Sequence, residues 1–155
     1  MNRPQIMATV WAASEKLHEN HDCTVKAVAI VLDMDYSTVH RAFANAGRKP
    51  RKGVRRDITE RATKALGYEF KEVSRTARTA ITIERDRKLQ SGRYVIGMTH
   101  HLAAMIDGKL MDWSQGRRKK INGVFQLNRI DTPPTPPTIP AYNWLDIPVQ
   151  TALSF

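Results

Sequence analysis

Apolar positions follow helical spacing early in the chain and strand-like runs later. Ile6, Met7, Val10, Trp11 and Leu17 predict an amphipathic helix over residues 4–18, with Pro4 suited to a first helical position. The polar run Glu19-Asn20-His21-Asp22 ends it, and Asp22 is expected to cap a second helix over about 23–33 with Val25, Val28, Ala29 and Leu32 inward. A third helix is expected over about 36–46, capped by Asp35 and stopped by Gly47. Asp57-Ile58-Thr59-Glu60 resembles a capping box and should start a short helix ending at Gly67. Tyr68, Phe70 and Val73 read as a strand, and residues 80–90 as a short helix before Ser91-Gly92. Strands are predicted at about 93–99, 101–106, 109–113 and 121–130. Helices first and strands later argue for an α+β fold, N-terminal helices packed on a C-terminal antiparallel sheet.

The Asp107-Gly108 pair is a strong signal for a two-residue hairpin turn, because a type I′ turn needs positive φ at both positions. Closing it there sets Ile106 opposite Lys109, Met105 opposite Leu110, Ala104 opposite Met111 and Ala103 opposite Asp112. Side chains alternate faces along a strand, so His101, Ala103 and Asp112 share a face and His101 becomes the diagonal neighbour of Asp112. His100 is expected on the opposite face. A carboxylate holding one ring nitrogen of His101 leaves the other for a thiol. The one Cys of the chain, Cys23, falls in the first turn of the second predicted helix, whose N-terminus should lower the thiolate pKa. A nucleophile, a base and an orienting acid are thus present in the order Cys23, His101, Asp112. The plain alternatives are a small core cysteine and a surface His–Asp pair.

These segments resemble the papain-like cysteine peptidases, close to the bacteriocin-processing peptidases of peptide exporters and to small phage and bacterial relatives. The matching stretches are Asp22-Cys23-Thr24-Val25-Lys26-Ala27, Asp35-Tyr36-Ser37-Thr38-Val39-His40, Ala46-Gly47-Arg48-Lys49, Ser91-Gly92-Arg93-Tyr94-Val95 and His101 through Asp112, spread over roughly residues 20–130. The resemblance implies a papain-like fold in which Cys23 is the nucleophile, His101 the general base and Asp112 its orienter, acting on a protein or peptide amide. Leu17 stands where the family often has its oxyanion Gln, and Asn20 is the residue that could substitute. A papain-like domain kept as a catalytically dead binding module is the reading that Leu17 supports.

Composition bounds the rest. The 155 residues suffice for one domain, assigned to 1–130, with a Pro-rich tail over 131–155. One Cys excludes an internal disulfide and suits a reducing compartment such as the cytoplasm, with the host cytoplasm or the virion as alternatives for a phage-encoded chain. No apolar run approaches the ~20 residues of a membrane span, so no membrane partner is expected. His18 with His21, and His100 with His101, complete no metal ligand set, and the thiol chemistry needs no cofactor. The net charge of +10 implies an anionic partner, nucleic acid or acidic protein. Arg48, Lys49, Arg51, Lys52, Arg55 and Arg56 form one candidate anion-binding loop, and Arg117, Arg118, Lys119 and Lys120 a second run. Both are alternatively solvated loops. Residues 25–47 also scan as a DNA-binding helix-turn-helix with Ser37, Thr38 and Arg41 facing bases. Thr132 through Pro140 is a spacer, and the apolar residues beyond it, among them Tyr142, Trp144 and Phe155, suggest a tail that docks on its own domain or a partner.

Overall fold

Asn2 and Gln5 cap the first helix reciprocally: Asn2 Oδ1 accepts from the Gln5 amide at 3.1 Å and Gln5 Oε1 from the Asn2 amide at 2.9 Å. In the computed structural model, which describes residues 2–130, helix α1 then runs Arg3–Lys16. The readings of the tail over 131–155 lie outside the described residues. Helices α2 (Cys23–Leu32) and α3 (Tyr36–Asn45) follow. Asp35 caps α3 as expected, accepting from the Thr38 amide at 3.3 Å, and Gly47 takes the positive φ of 114° that stops it. Helix α4 spans Arg56–Ala65. It is not capped by Asp57, which lies in the first turn and binds the Arg55 guanidinium at 2.8 and 2.9 Å instead.

Strands β1 (Tyr68–Val73), β2 (Arg93–Met98), β3 (His101–Ile106), β4 (Lys109–Leu110) and β5 (Ile121–Arg129) form one antiparallel sheet in the order β1-β5-β2-β3-β4. The expected helix over 80–90 is split into α5 (Ala80–Ile83) and a 3-10 turn at Arg87–Leu89. Asp86 divides them, because its carboxylate accepts from the amides of Thr76, Ala77 and Lys88 at 2.6, 2.7 and 3.0 Å. Strand alternation gives the sheet two buried faces. Val95, Ala104 and Phe125 pack under the helices, while their neighbours Ile96, Met105 and Val124 pack on the other side with Ile83 and Leu89.

Helix α2 lies between α1, α3 and the sheet, and it is buried nearly all round. Val25, Ala27, Val28, Ala29, Ile30 and Val31 all sit in the core, a wider apolar surface than the single stripe expected. Two buried carboxylates fix the approach to this helix. Asp22 accepts from Ser14 Oγ of α1 and Tyr36 OH of α3, each at 2.6 Å, and pairs with Lys26 Nζ at 3.3 Å. It therefore does not cap α2, as the sequence suggested; its side chain makes no capping bond. Glu19 accepts from Arg48 Nη1 and Nη2 at 3.0 and 3.1 Å, from His40 Nε2 at 2.6 Å and from the Arg51 amide at 2.9 Å. Burial pushes the Glu19 carboxyl up, but the donors from Arg48, His40 and Arg51 outweigh it and hold the group down at about 2.

Both side chains of the Glu19–Arg48 pair are 2% exposed, so Glu19→Gln leaves a guanidinium buried without its counter-ion. Urea unfolding should show a loss of roughly 3 kcal/mol. The Glu19 pKa is below its unfolded value of ~4.3, so its contribution is full above that pH and is lost as pH falls toward about 2. The variant should lose that acid-dependent component, and a variant as stable as the parent at neutral pH would refute the role given to the pair.

Candidate active site

The site is built where the start of α2 meets the start of β3. Cys23 is the first residue of α2, and His101 is the first residue of β3. Between β2 and β3 the chain turns through Thr99 and His100 alone, with Met98 paired to His101. His100 is thus neither on the shared face nor on the opposite one. It sits in the turn at φ 55°, exposed, bordering the same clefts as Cys23.

The Asp107–Gly108 turn forms with φ values of 47° and 84°, and the expected register follows: Met105 pairs with Leu110 and Ile106 with Lys109. The Met111 amide continues the pattern, donating to Ala104 O at 2.9 Å. Strand β4 is shorter than the expected 109–113, because Asp112 Oδ1 turns the chain away by accepting from the Ser114 amide at 2.9 Å and Ser114 Oγ at 2.5 Å. Asp112 Oδ2 still reaches His101 Nε2, at 2.5 Å, with the two side chains only 5% and 8% exposed. Two of the three predicted catalytic groups are therefore joined by the predicted hairpin.

The third is joined to them by packing. The Cys23 thiol, partly buried, borders the same two clefts as His101, and His101, the Leu102 backbone and Thr24 all act to stabilise its anionic form. Asp112 occupies Nε2 of the imidazole, which leaves Nδ1 as the ring nitrogen for the sulfur. Burial pushes the thiol pKa up, yet the hydrogen bonds from His101 and Leu102 and the imidazolium charge prevail and bring it below its ordinary value. His101 moves the other way. Burial alone would lower it, but Asp112 and then Cys23 raise it to about 9. Asp112 is held down, against its burial, by His101 and Ser114. All three shifts run in the direction that stabilises a charged thiolate–imidazolium pair. Because Asp22 gives its carboxylate to Ser14 and Tyr36, no side chain caps the first amides of α2, and these remain beside the sulfur.

Trp113, which follows Asp112 directly, places its ring 4.6 Å from the imidazole centroid at 40° and covers the His101–Asp112 pair. Two clefts meet at Cys23 and His101. The larger, about 680 Å³, is walled by Phe70, Met98, Leu102, Phe125 and Val54. The smaller, about 240 Å³, lies between Trp11, Lys26, Asp112 and Trp113. Gly97 pairs with Gly123 across the floor of the larger cleft, and a Cβ at Gly123 would lie 2.9 Å from Phe125 Cζ. Thr24, Leu102, Trp113 and Ser114 were not singled out by the sequence. Only the adjacency of Thr24 to Cys23, and of Trp113 to Asp112, could have pointed to them.

Asn20 is not brought into this group. It is exposed, its Oδ1 lies 3.4 Å from His21 Nδ1, and it borders neither cleft, whereas His21 borders both. The predicted anion-binding loop divides. Arg48 is buried against Glu19 and is a structural cation, not a surface one. Arg55 and Arg56 are exposed but paired with Asp57 and Glu60 at 2.8 and 2.9 Å. Lys49, Arg51 and Lys52 point their charge outward. Helices α2 and α3 do form a helix-turn-helix-like pair, with Asp33 taking the left-handed turn position at φ 53°, and Ser37, Thr38 and Arg41 are exposed on α3. The Ser37 hydroxyl, however, donates to Asp35, so an acid stands at the start of the would-be recognition helix. Among the described residues no group of three or more His, Cys, Asp or Glu is placed to hold a metal ion, and no helix is long and apolar enough to cross a membrane. No family model, no curated protein and no solved structure matches the chain.

Alkylation of Cys23 by iodoacetamide should follow a thiolate titration centred below the ordinary value of about 8.5. His101→Ala removes the main lowering partner while the burial remains, so the midpoint should rise to that value or above it. Equal midpoints in the two proteins would end the assignment of a coupled pair. The raised His101 pKa also carries stability, fully present below its unfolded value of ~6.5 and lost as pH rises through about 9.

Proposed function

We propose that this chain is a thiol hydrolase of papain-like design that cleaves a protein or peptide amide through a Cys23–His101–Asp112 triad. The observation that carries the reading is the Asp112 Oδ2–His101 Nε2 hydrogen bond at 2.5 Å, with Cys23 beside the same imidazole where two clefts meet. The order of parts supports the papain-like design: a nucleophile on the first residue of a buried helix, packed on an antiparallel sheet whose neighbouring strands carry the base and the acid.

The Cys23 thiolate attacks the amide carbonyl carbon, forming a C–S bond and an oxyanion. The amides at the uncapped start of α2 are the donors nearest to that charge. The His101 imidazolium gives its proton to the leaving nitrogen as the C–N bond breaks, which releases an amine and leaves a thioester on Cys23. The now neutral imidazole takes a proton from water, the hydroxide adds to the thioester, and the C–S bond breaks to free the acid. The thiolate and imidazolium are restored. Asp112 keeps the ring oriented and stabilises its cationic form, and Trp113 shields their bond from water.

Cys23→Ala should abolish hydrolysis of fluorogenic peptide amides, and a thioester adduct of wild-type mass plus acyl group should be trappable at acid pH. The rate should be bell-shaped in pH, with its alkaline limb near 9 where His101 loses its proton. Asp112→Asn keeps the shape but not the charge, so that limb should move down and turnover should fall roughly a hundredfold. A Cys23→Ala protein that cleaves as fast as wild type refutes the hydrolase. Absent cleavage by a wild type whose thiol is nonetheless acidic favours a binding module, a role to which the outward position of Leu17 and Asn20 would then belong.

A further inference from the structure

We infer that the substrate of this site, on the hydrolase reading just given, is an acidic polypeptide with one large apolar residue beside the scissile bond. The larger cleft sets the apolar requirement. Phe70 and Phe125 stack at 4.5 Å, and the Gly97–Gly123 pair makes room for the Phe125 ring to lie close against the strands as an apolar wall. Glu72, set over Gly123, and Arg56, set over the Phe70 and Phe125 rings and paired with Glu60, are its lining residues of opposite charge, so the cleft itself offers no net cation to an acid.

The rims carry the opposite charge. Gly53 and Val54 line the cleft, and the turn that leads into them bears the exposed Lys49, Arg51 and Lys52. This turn is held in place from below. Arg48 Nε donates to Lys52 O at 3.0 Å, its guanidinium is clamped by Glu19, and the Arg51 amide donates to the same carboxylate. The backbone under the three cations is fixed, so their charge stays at the rim. On the far side Lys119 Nζ lies 5.7 Å from the Trp113 ring, which itself covers His101. Arg117, Arg118 and Lys120 are exposed next to it. The acids of the smaller cleft do not cancel this field, because Asp22 and Asp112 are both buried in their own hydrogen bonds. A chain of net charge +10 thus presents cations on both sides of its thiol and an apolar gap of balanced charge between them. A nucleic-acid backbone wants an unbroken basic track. A polypeptide with acids flanking an apolar residue matches the interrupted one.

Binding is measured on full-length Cys23→Ala protein with a labelled octapeptide that has leucine at its centre and glutamates around it, and with its glutamine and lysine counterparts. The glutamate peptide should bind about tenfold tighter than the glutamine one at low salt, with the gap closing as salt screens it. The triple variant Lys49→Gln, Arg51→Gln, Lys52→Gln lies on an exposed turn and should shrink the gap, and replacing the central leucine by glycine should weaken all three peptides. Equal affinities for glutamate and glutamine peptides, or a gap the triple variant leaves untouched, overturn the inference. So does duplex DNA that displaces the glutamate peptide through the same cations at equal concentration, which would make nucleic acid the partner. Cleavage by the wild-type protein separates the two proposals. Equal cleavage of the three peptides keeps the hydrolase and removes the charge selection, whereas charge-selective binding with no cleavage removes the hydrolase.

Discussion

The burial of α2 is the constraint on which the other features depend. A helix with six consecutive or near-consecutive apolar residues in the core has no face left for water, so it must be enclosed by other elements. Here α1 and α3 cover it on one side and the sheet, β3 above all, on the other. That enclosure leaves its first residue, Cys23, no position except over the start of β3. The reactive geometry is thus a by-product of where a very apolar helix can be put. Burial there would raise the Cys23 thiol, but His101, the Leu102 backbone and Thr24 outweigh it.

The polar groups around α2 work in the same direction. Asp22 and Glu19 are separated by two residues, and each gathers partners from more than one element. Asp22 joins α1 to α3 directly before Cys23. Glu19 fixes the turn after α3 that becomes a wall of the larger cleft. Both carboxylates are held ionised against burial by hydrogen bonds and cations. Asp22 thereby makes no side-chain capping bond to the start of α2.

The hairpin carrying His101 and Asp112 was legible in the sequence because its information is local. A two-residue turn of defined type and a period of two fix which side chains meet, with no knowledge of the rest of the chain. Cys23 at a helix start was legible for the same reason. The roles of Arg48 and Asp22 were not. A run of six cations looks uniform in sequence, and only the position of Glu19, far away along the chain, separates the buried one from its neighbours. Asp22 precedes a helix and so reads as a cap until Ser14 and Tyr36 are known to compete for it. Asn20 failed likewise: nearness in sequence to a thiol does not aim a side chain at it. The clefts, built from β1, β2, β5 and the turn before α4, involve pairings that local patterns do not encode.

The spacing of the three groups has a kinetic side. His101 and Asp112 are 11 positions apart and joined by a tight turn, so closing the loop between them costs little entropy. Cys23 belongs to the opposite end of the domain and reaches His101 only when α2 docks on β3, a contact of high sequence separation. A chain emerging from synthesis or from denaturant can hold base and acid in register while its thiol is still an ordinary one. The lowered thiol pKa then comes into being at the long-range docking step, and a half-folded molecule exposes its neighbours to no more than an ordinary cysteine.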